Sequence, residues 1–190
     1  NVNVSNWDFT SLVAAPSNIR NPLLVRNSNA SVFENCNLAG MENGIQFDDD
    51  NSNNIINNCN FSGAVLYGIV FNNGNNQNNT ITNNNLTNCG DYGLYYSNGT
   101  PTDISDNNFT GSFGGVYLGG ANTFTLGSSN IFQNQTGTSI QLEASSAVDV
   151  SNNVINGNGG SGILLNQSNN CVLNGNTACG STYGIRIPGS

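Results

Sequence analysis

The sequence predicts an all-β solenoid, a parallel β-helix of about seven to eight coils of 22–25 residues, and three observations predict it. Apolar residues recur in pairs five apart: Phe33/Leu38, Ile56/Phe61, Ile81/Leu86, Ile104/Phe109, Leu126/Ile131, Val150/Ile155 and Leu173/Ala178. A second apolar series follows in register, Ile45, Ile69, Leu94, Val116, Ile140, Ile163 and Ile185, each with an apolar partner two residues on (Phe47, Phe71, Tyr96, Leu118, Leu142, Leu165, Ile187). Glycine precedes this series at Gly44, Gly68, Gly93, Gly115, Gly162 and Gly184, and Ser139 takes its place in the remaining coil. Alternate apolar positions mark strands with one buried face, and no window sustains a helical period.

Taken in chain order, residues 1–27 form an irregular first coil. Val4 and Phe9 repeat the five-residue spacing and Leu23/Val25 match the second strand, with the longer loop SLVAAPSNIRNP between them. Residues 28–190 supply seven regular coils, and no linker divides them, so the expectation is one domain over 1–190, either complete or part of a longer chain. At the strand spacing of a sheet, seven coils span about 35 Å.

Each coil bends after its first apolar residue. Asn35, Asn58, Asn83, Asp106, Ser128, Asn152 and Gly175 occupy that bend, and these residue types tolerate left-handed backbone. The next column, Cys36, Cys59, Asn84, Asn107, Ser129, Asn153 and Asn176, is expected to point inward as a stacked ladder. Buried amides require partners, and like neighbours above and below provide them. Asn37, Asn60, Asn85, Asn108 and Asn130 then point outward, and Asn60, Asn85 and Asn108 head N-x-S/T sequons that would be accessible to glycosylation.

Composition removes several functions. The chain has 190 residues, a net charge of −8, no histidine and three Lys plus Arg, all arginine (Arg20, Arg26, Arg186). A chain this acidic has almost nothing to neutralise phosphates, so neither nucleic acid nor an anionic membrane surface is an expected partner, and no apolar run is long enough for membrane insertion. The scarcity of tryptic sites suits a protein in hostile surroundings.

Units such as NNTITNNNLTNCGDYGLYY and NNVINGNGGSGILLNQS resemble the NosD-like, or carbohydrate-binding and sugar-hydrolase, repeats of the pectin-lyase superfold. The resemblance covers nearly the whole chain and implies a single-stranded right-handed parallel β-helix. It is informative about fold and not about function, because that superfold carries lyases, hydrolases, tailspikes, adhesins and surface-layer proteins. The hydrolases it implies use a histidine motif, which is absent here, and the lyases use calcium carboxylates beside an Arg or Lys. Copper ligation needs His or Met, and Met41 is the single methionine.

The acidic run Asp48-Asp49-Asp50 offers three readings: an exposed turn, a Ca²⁺ site, or a paired-acid site. Tyr67, Tyr92, Tyr95, Tyr96 and Tyr117 cluster in adjacent coils, with Tyr95 and Tyr117 outward and stacked beside Val70 and Gln46, which suits either a carbohydrate contact or cross-strand packing. Cys36 and Cys59 lie one strand spacing apart, within disulfide range, and free thiols in the ladder are the equal alternative. The expectation is a non-enzymatic extracellular or cell-surface structural protein without a cofactor: a filament, sheath or surface-layer subunit or an adhesin module. Self-association by end-to-end or lateral β-stacking belongs to this reading. A carbohydrate-binding module or polysaccharide-active enzyme is the alternative.

Overall fold

A computed structural model describes residues 1–9 and 23–188. The long first-coil loop and Arg20 lie outside the described residues. The described chain is all β, and its strands pair in parallel, each with the equivalent strand of the next coil. Among the described residues, no helix is long and apolar enough to cross a membrane.

The longest sheet stacks eight strands: Leu24–Arg26, Ile45–Asp48, Ile69–Phe71, Tyr92–Ser97, Gly114–Gly119, Ile140–Glu143, Ser161–Asn166 and Tyr183–Arg186. Its register aligns Ile45, Ile69, Leu94, Val116, Ile140, Ile163 and Ile185, the predicted column. A second face carries five strands from Asn3–Ser5 to Asp103–Ser105, followed by three from Asn122–Leu126 to Val172–Asn174. The third face begins as single bridges between Asn37, Asn60, Asn85 and Asn108, and widens into strands Ile131–Gln133, Val154–Asn156 and Thr177–Cys179. One continuous core runs inside, from Phe33 to Leu165.

The predicted bend is left-handed in every regular coil, but one position moves. Asn35, Asn58, Asn83, Asp106, Asn152 and Gly175 all have positive φ; in the remaining coil the residue is Ser129, not Ser128. That coil holds one extra residue between its two core positions. Leu126 is buried, Ile131 is 40% exposed, and Phe132 fills the core place expected of Ile131. The register confirms the shift, since Phe132 aligns with Ile155 and Ile131 with Val154. Ser129 is therefore the bend and Asn130, expected to face outward, enters the ladder fully buried. The insertion falls where the second face divides into two sheets.

The glycine column has a steric cause. A Cβ at Gly115 would fall inside the Phe132 ring and on the Ser139 carbonyl of the next coil, and at Gly44 it would meet Phe61 and the Gly68 carbonyl. Ser139 is the exception with a compensating arrangement. Its hydroxyl is fully buried, donates to Gln135 Oε1 at 3.3 Å and accepts from Asn158 Nδ2.

Candidate functional site

The interior bends hold polar side chains that serve the fold. Asn84 Oδ1 accepts from Cys59 N at 2.9 Å, Asn107 Oδ1 from Asn84 N at 2.9 Å, Asn130 Oδ1 from Asn107 N at 3.1 Å, and Asn176 Oδ1 from Asn153 N at 3.0 Å. Amide-to-amide bonds run alongside, from Asn84 to Asn107, Asn107 to Asn130 and Asn130 to Asn153. Asn84, Asn107, Asn130 and Asn176 also donate to a backbone carbonyl of the preceding coil, as Asn107 Nδ2 does to Ile81 O at 2.9 Å.

A second ladder stands at the opposite bend and was not expected. Asn54 Oδ1 accepts from Ser31 N at 3.0 Å and Asn79 Oδ1 from Asn54 N at 2.9 Å, while Asn79 Nδ2 donates to the Tyr96 hydroxyl at 2.8 Å. The signal for it was present: Ser31, Asn54 and Asn79 each precede a core residue by two, the inward parity of a strand.

At the head of the first ladder, Cys36 and Cys59 are free thiols rather than a disulfide. The sulfur of Cys59 takes the ladder acceptor's role, receiving the Cys36 N–H at 3.4 Å. Its thiol donates to backbone carbonyls, Asn57 O at 3.3 Å among them. Burial pushes the Cys59 thiol up to about 12 and the Cys89 thiol to about 11, so both stay protonated and inert.

The outward column is also more committed than expected. Asn60 and Asn85 are half-buried, and their Nδ2 atoms, where a glycan would attach, donate to Asn37 Oδ1 and Asn60 Oδ1, each at 3.0 Å. Asn108 is likewise half-buried and turns its Oδ1 to Thr110, accepting from its N–H at 3.0 Å and its hydroxyl at 2.7 Å. Asn60 and Asn85 thus share a partly covered side-chain row with Asn37, and Asn108 turns out of it.

The acidic run does not converge. Asp48 accepts from Gln46 Nε2 at 2.9 Å and lies 3.5 Å from the Arg26 guanidinium. Asp49 is an exposed left-handed bend, and Asp50 Oδ1 caps the Asn75 N–H at 2.7 Å. Asp48 and Asp50 bond separate partners and Asp49 faces solvent, whereas Ca²⁺ takes a converging shell of oxygens. No group of three His, Cys, Asp or Glu among the described residues is placed to hold a metal ion.

The tyrosines do converge. The outward column of the long sheet reads Gln46, Val70, Tyr95, Tyr117, Gln141, Leu164 and Arg186 in register. Tyr95 and Tyr117 stack with ring centroids 4.5 Å apart and planes within 10°, and Tyr67 leans on Tyr95 at 5.2 Å. Tyr92 meets Tyr117 edge-on at 5.8 Å and Phe113 at 6.2 Å, and its hydroxyl donates to Gln141 Oε1 at 2.7 Å, two coils on. Glycines make room for them, because a Cβ at Gly114 would strike the Tyr92 ring.

Beside this stack lies a groove of about 450 Å³, lined among others by Tyr95, Tyr117, Ser97, Gly119, Asn98 and Glu143. Ser97, Gly119, Glu143 and Asn166 are successive members of one outward column, and Gly119 leaves a notch in it. The Tyr117 ring edge lies over that notch, 3.1 Å from where a Cβ on Gly119 would stand.

Tyr67, Tyr92 and Tyr117 are each pushed up to about 12, first by burial; the Asp91 carboxylate comes next for the first two, and the stacked Tyr95, followed by Glu143, for Tyr117. Folding thus favours the neutral phenols. The stability they contribute is fully present below their ordinary value of 10 and is lost as pH rises from there through about 12. In an alkaline absorbance titration the native protein should ionise these tyrosines well above the pH at which the urea-denatured chain does.

Residues 16–109 match the family model described as right handed beta helix region, and residues 103–190 match that of NosD, a periplasmic copper-binding protein. The two matches together span the regular coils seen in the structure. The chain is a β-helix repeat protein. Two solved structures, both trypsin-treated variants of QnrB1, a plasmid-mediated fluoroquinolone resistance protein, align over 98% of this chain and 90% of theirs. Their identities to it are 15% and 14%, with TM-scores of 0.47 and 0.44. No curated protein sequence matches. Of the His and Met ligands that suit copper, this β-helix protein has no histidine, and its one methionine, Met41, is buried in the core.

Proposed function

We propose that this β-helix protein is a non-catalytic structural element of the cell envelope or exterior: a filament, sheath or surface-layer subunit, or an adhesin module. The observation that carries the reading is the paired amide ladders, which bond each coil to the next through side chains as well as backbone. Such a rod resists local opening, and three basic residues in 190 leave trypsin-like proteases little to cut. The periplasmic description of the NosD family supports a place outside the cytoplasm.

Lateral self-association is part of this proposal. Ile131 and Val154, 40% and 46% exposed, stand in register on the third face and offer a flat apolar strip to a second copy. Sedimentation velocity over a concentration series should show assembly beyond the monomer; monomers at the highest concentration would remove this part. Incubation with acidic and neutral polysaccharides, with and without Ca²⁺, should release neither unsaturated nor new reducing ends. Release of either would overturn the non-catalytic reading.

A second reading has its own observation. The stacked Tyr95–Tyr117 pair beside an open groove supports a carbohydrate contact on the long sheet, with amphipathic phenols meeting a ligand that is part apolar and part hydroxylated.

A further inference from the structure

We propose that Asn73 is a site of spontaneous covalent modification: the backbone nitrogen of Gly74 displaces its side-chain amide, with water as the co-reactant and ammonia as the product. The fold withholds the same reaction from the chain's other Asn-Gly pairs.

The chemistry needs a nucleophile and the freedom to reach its target. Once its proton passes to solvent base, the Gly74 nitrogen attacks Asn73 Cγ. A C–N bond forms, the Cγ–Nδ2 bond breaks, and ammonia leaves behind a cyclic imide. Water then adds to one of the two imide carbonyls. One opening yields aspartate; the other yields isoaspartate, in which the main chain runs through the former side-chain carbon. Glycine obstructs the attack least of all following residues, because it has no Cβ. A glycine N–H bonded to a carbonyl, or an asparagine fixed in a paired strand, reacts only after local opening.

Asn-Gly pairs begin at Asn43, Asn73, Asn98, Asn156, Asn158 and Asn174. The N–H groups of Gly44, Gly157 and Gly159 donate to Tyr67 O at 3.0 Å, Cys179 O at 2.9 Å and Gln135 O at 2.8 Å. Gly99 is buried in strand Gly99–Thr100, which pairs with Asn76–Gln77. Asn174 is held in strand Val172–Asn174 opposite Ser151, and its carbonyl accepts the Asn152 N–H at 2.9 Å.

Asn73 and Gly74 differ on each count. Both are exposed, and they lie in the bend between strands Ile69–Phe71 and Asn76–Gln77. Among the described residues, neither the Gly74 N–H nor the Asn73 side chain has a hydrogen-bond partner. The bend is tied instead through the Asn73 carbonyl, which accepts from Asn76 Nδ2 at 3.1 Å. Glycine is required at 74 on its own account, since its φ is 81° and a Cβ would fall 2.4 Å from the Asp49 carbonyl oxygen. The labile pair is therefore built into the bend that packs on Asp49 and Asp50, and its product adds a negative charge there.

Incubation of the intact protein at mildly alkaline pH tests this, with peptide mapping by mass spectrometry and methyltransferase labelling of isoaspartate. Asn73 should convert at least about tenfold faster than the asparagine of any other Asn-Gly pair, because each of those waits on local opening. Its rate should rise with pH, as deprotonation of the attacking nitrogen requires. In the urea-denatured chain, where no pair is bonded, the preference for Asn73 should vanish. Asn73→Gln should remove the fast phase and keep the parent's unfolding midpoint, since the side chain it replaces is exposed and unbonded. An Asn73 that stays intact in the folded protein while the denatured chain reacts would overturn the proposal. Equal conversion of all the pairs in the folded protein would overturn it too, because the fold would then select nothing. A fast phase that survives Asn73→Gln would place the reaction elsewhere, with the same consequence.

Discussion

Replacing Asn107 with alanine lowers the unfolding free energy by about 4 kcal/mol, because it orphans several buried groups at once. Asn107 Oδ1 accepts the backbone N–H of Asn84 at 2.9 Å and its side-chain amide at 3.1 Å, and both donors are buried. Its own Nδ2 reaches Ile81 O and Asn130 Oδ1. Water cannot reach a site that is 1% exposed to replace any of these bonds. The neighbouring bend provides the contrast. Asn83 is exposed with φ of 57°, and alanine there costs only the left-handed backbone penalty of about 1 kcal/mol. Urea midpoints distinguish the two variants. Hydrogen exchange locates the cause, since the Asn84 amide should lose its protection in Asn107→Ala and keep it in Asn83→Ala. Equal costs for the two would mean that the ladder does not hold the coils.

The ladder was legible because it repeats a residue type at a bend, where geometry and chemistry point the same way. The one misplaced coil shows how that logic fails. Leu126 and Ile131 satisfy the five-residue rule, yet the side chain that belongs beside Phe109 is Phe132, which stacks on it at 4.9 Å with planes within 5°. A one-residue insertion at the bend leaves an apolar residue at both candidate positions, so pattern alone cannot choose between them. Packing chooses: the phenylalanine goes in and Asn130 takes the ladder. The tyrosine face was legible as a cluster but not as a site. The reach of Tyr92 to Gln141, 49 residues away, depends on a rotamer and on the space above Gly114, which no spacing rule encodes. The seat of the Tyr117 ring was missed for a similar reason: it is an absence, the missing side chain of Gly119, between residues from three coils.

A second large effect is expected at Phe71. Its ring lies between Phe47, stacked at 4.3 Å with planes within 4°, and Tyr96 at 4.5 Å, and Phe33 meets the far side of Phe47 edge-on at 5.6 Å. Phe71→Ala should cost about 4 kcal/mol, because the flanking rings are fixed and cannot close the cavity. Phe47 is held within its strand, and the Tyr96 hydroxyl is anchored by Asn79 Nδ2 at 2.8 Å and by Asn76 O at 3.1 Å. Phe71→Leu keeps most of the volume and should cost about 1.5 kcal/mol or less. The position of the loss matters as much as its size. Stability in a solenoid is close to a sum of coil terms and nearest-neighbour terms, so a gap in the aromatic stack weakens one junction. Hydrogen exchange should then show amides around Ile45 and Ile69 opening before those around Val148 and Val150, which are several coils away. Uniform loss of protection along the rod would show instead that the ladders couple the coils strongly enough to make unfolding all-or-none. The same measurement on Asn107→Ala would then show the reverse, with coupling itself reduced, because the side chain removed there belongs to the ladder and not to the stack.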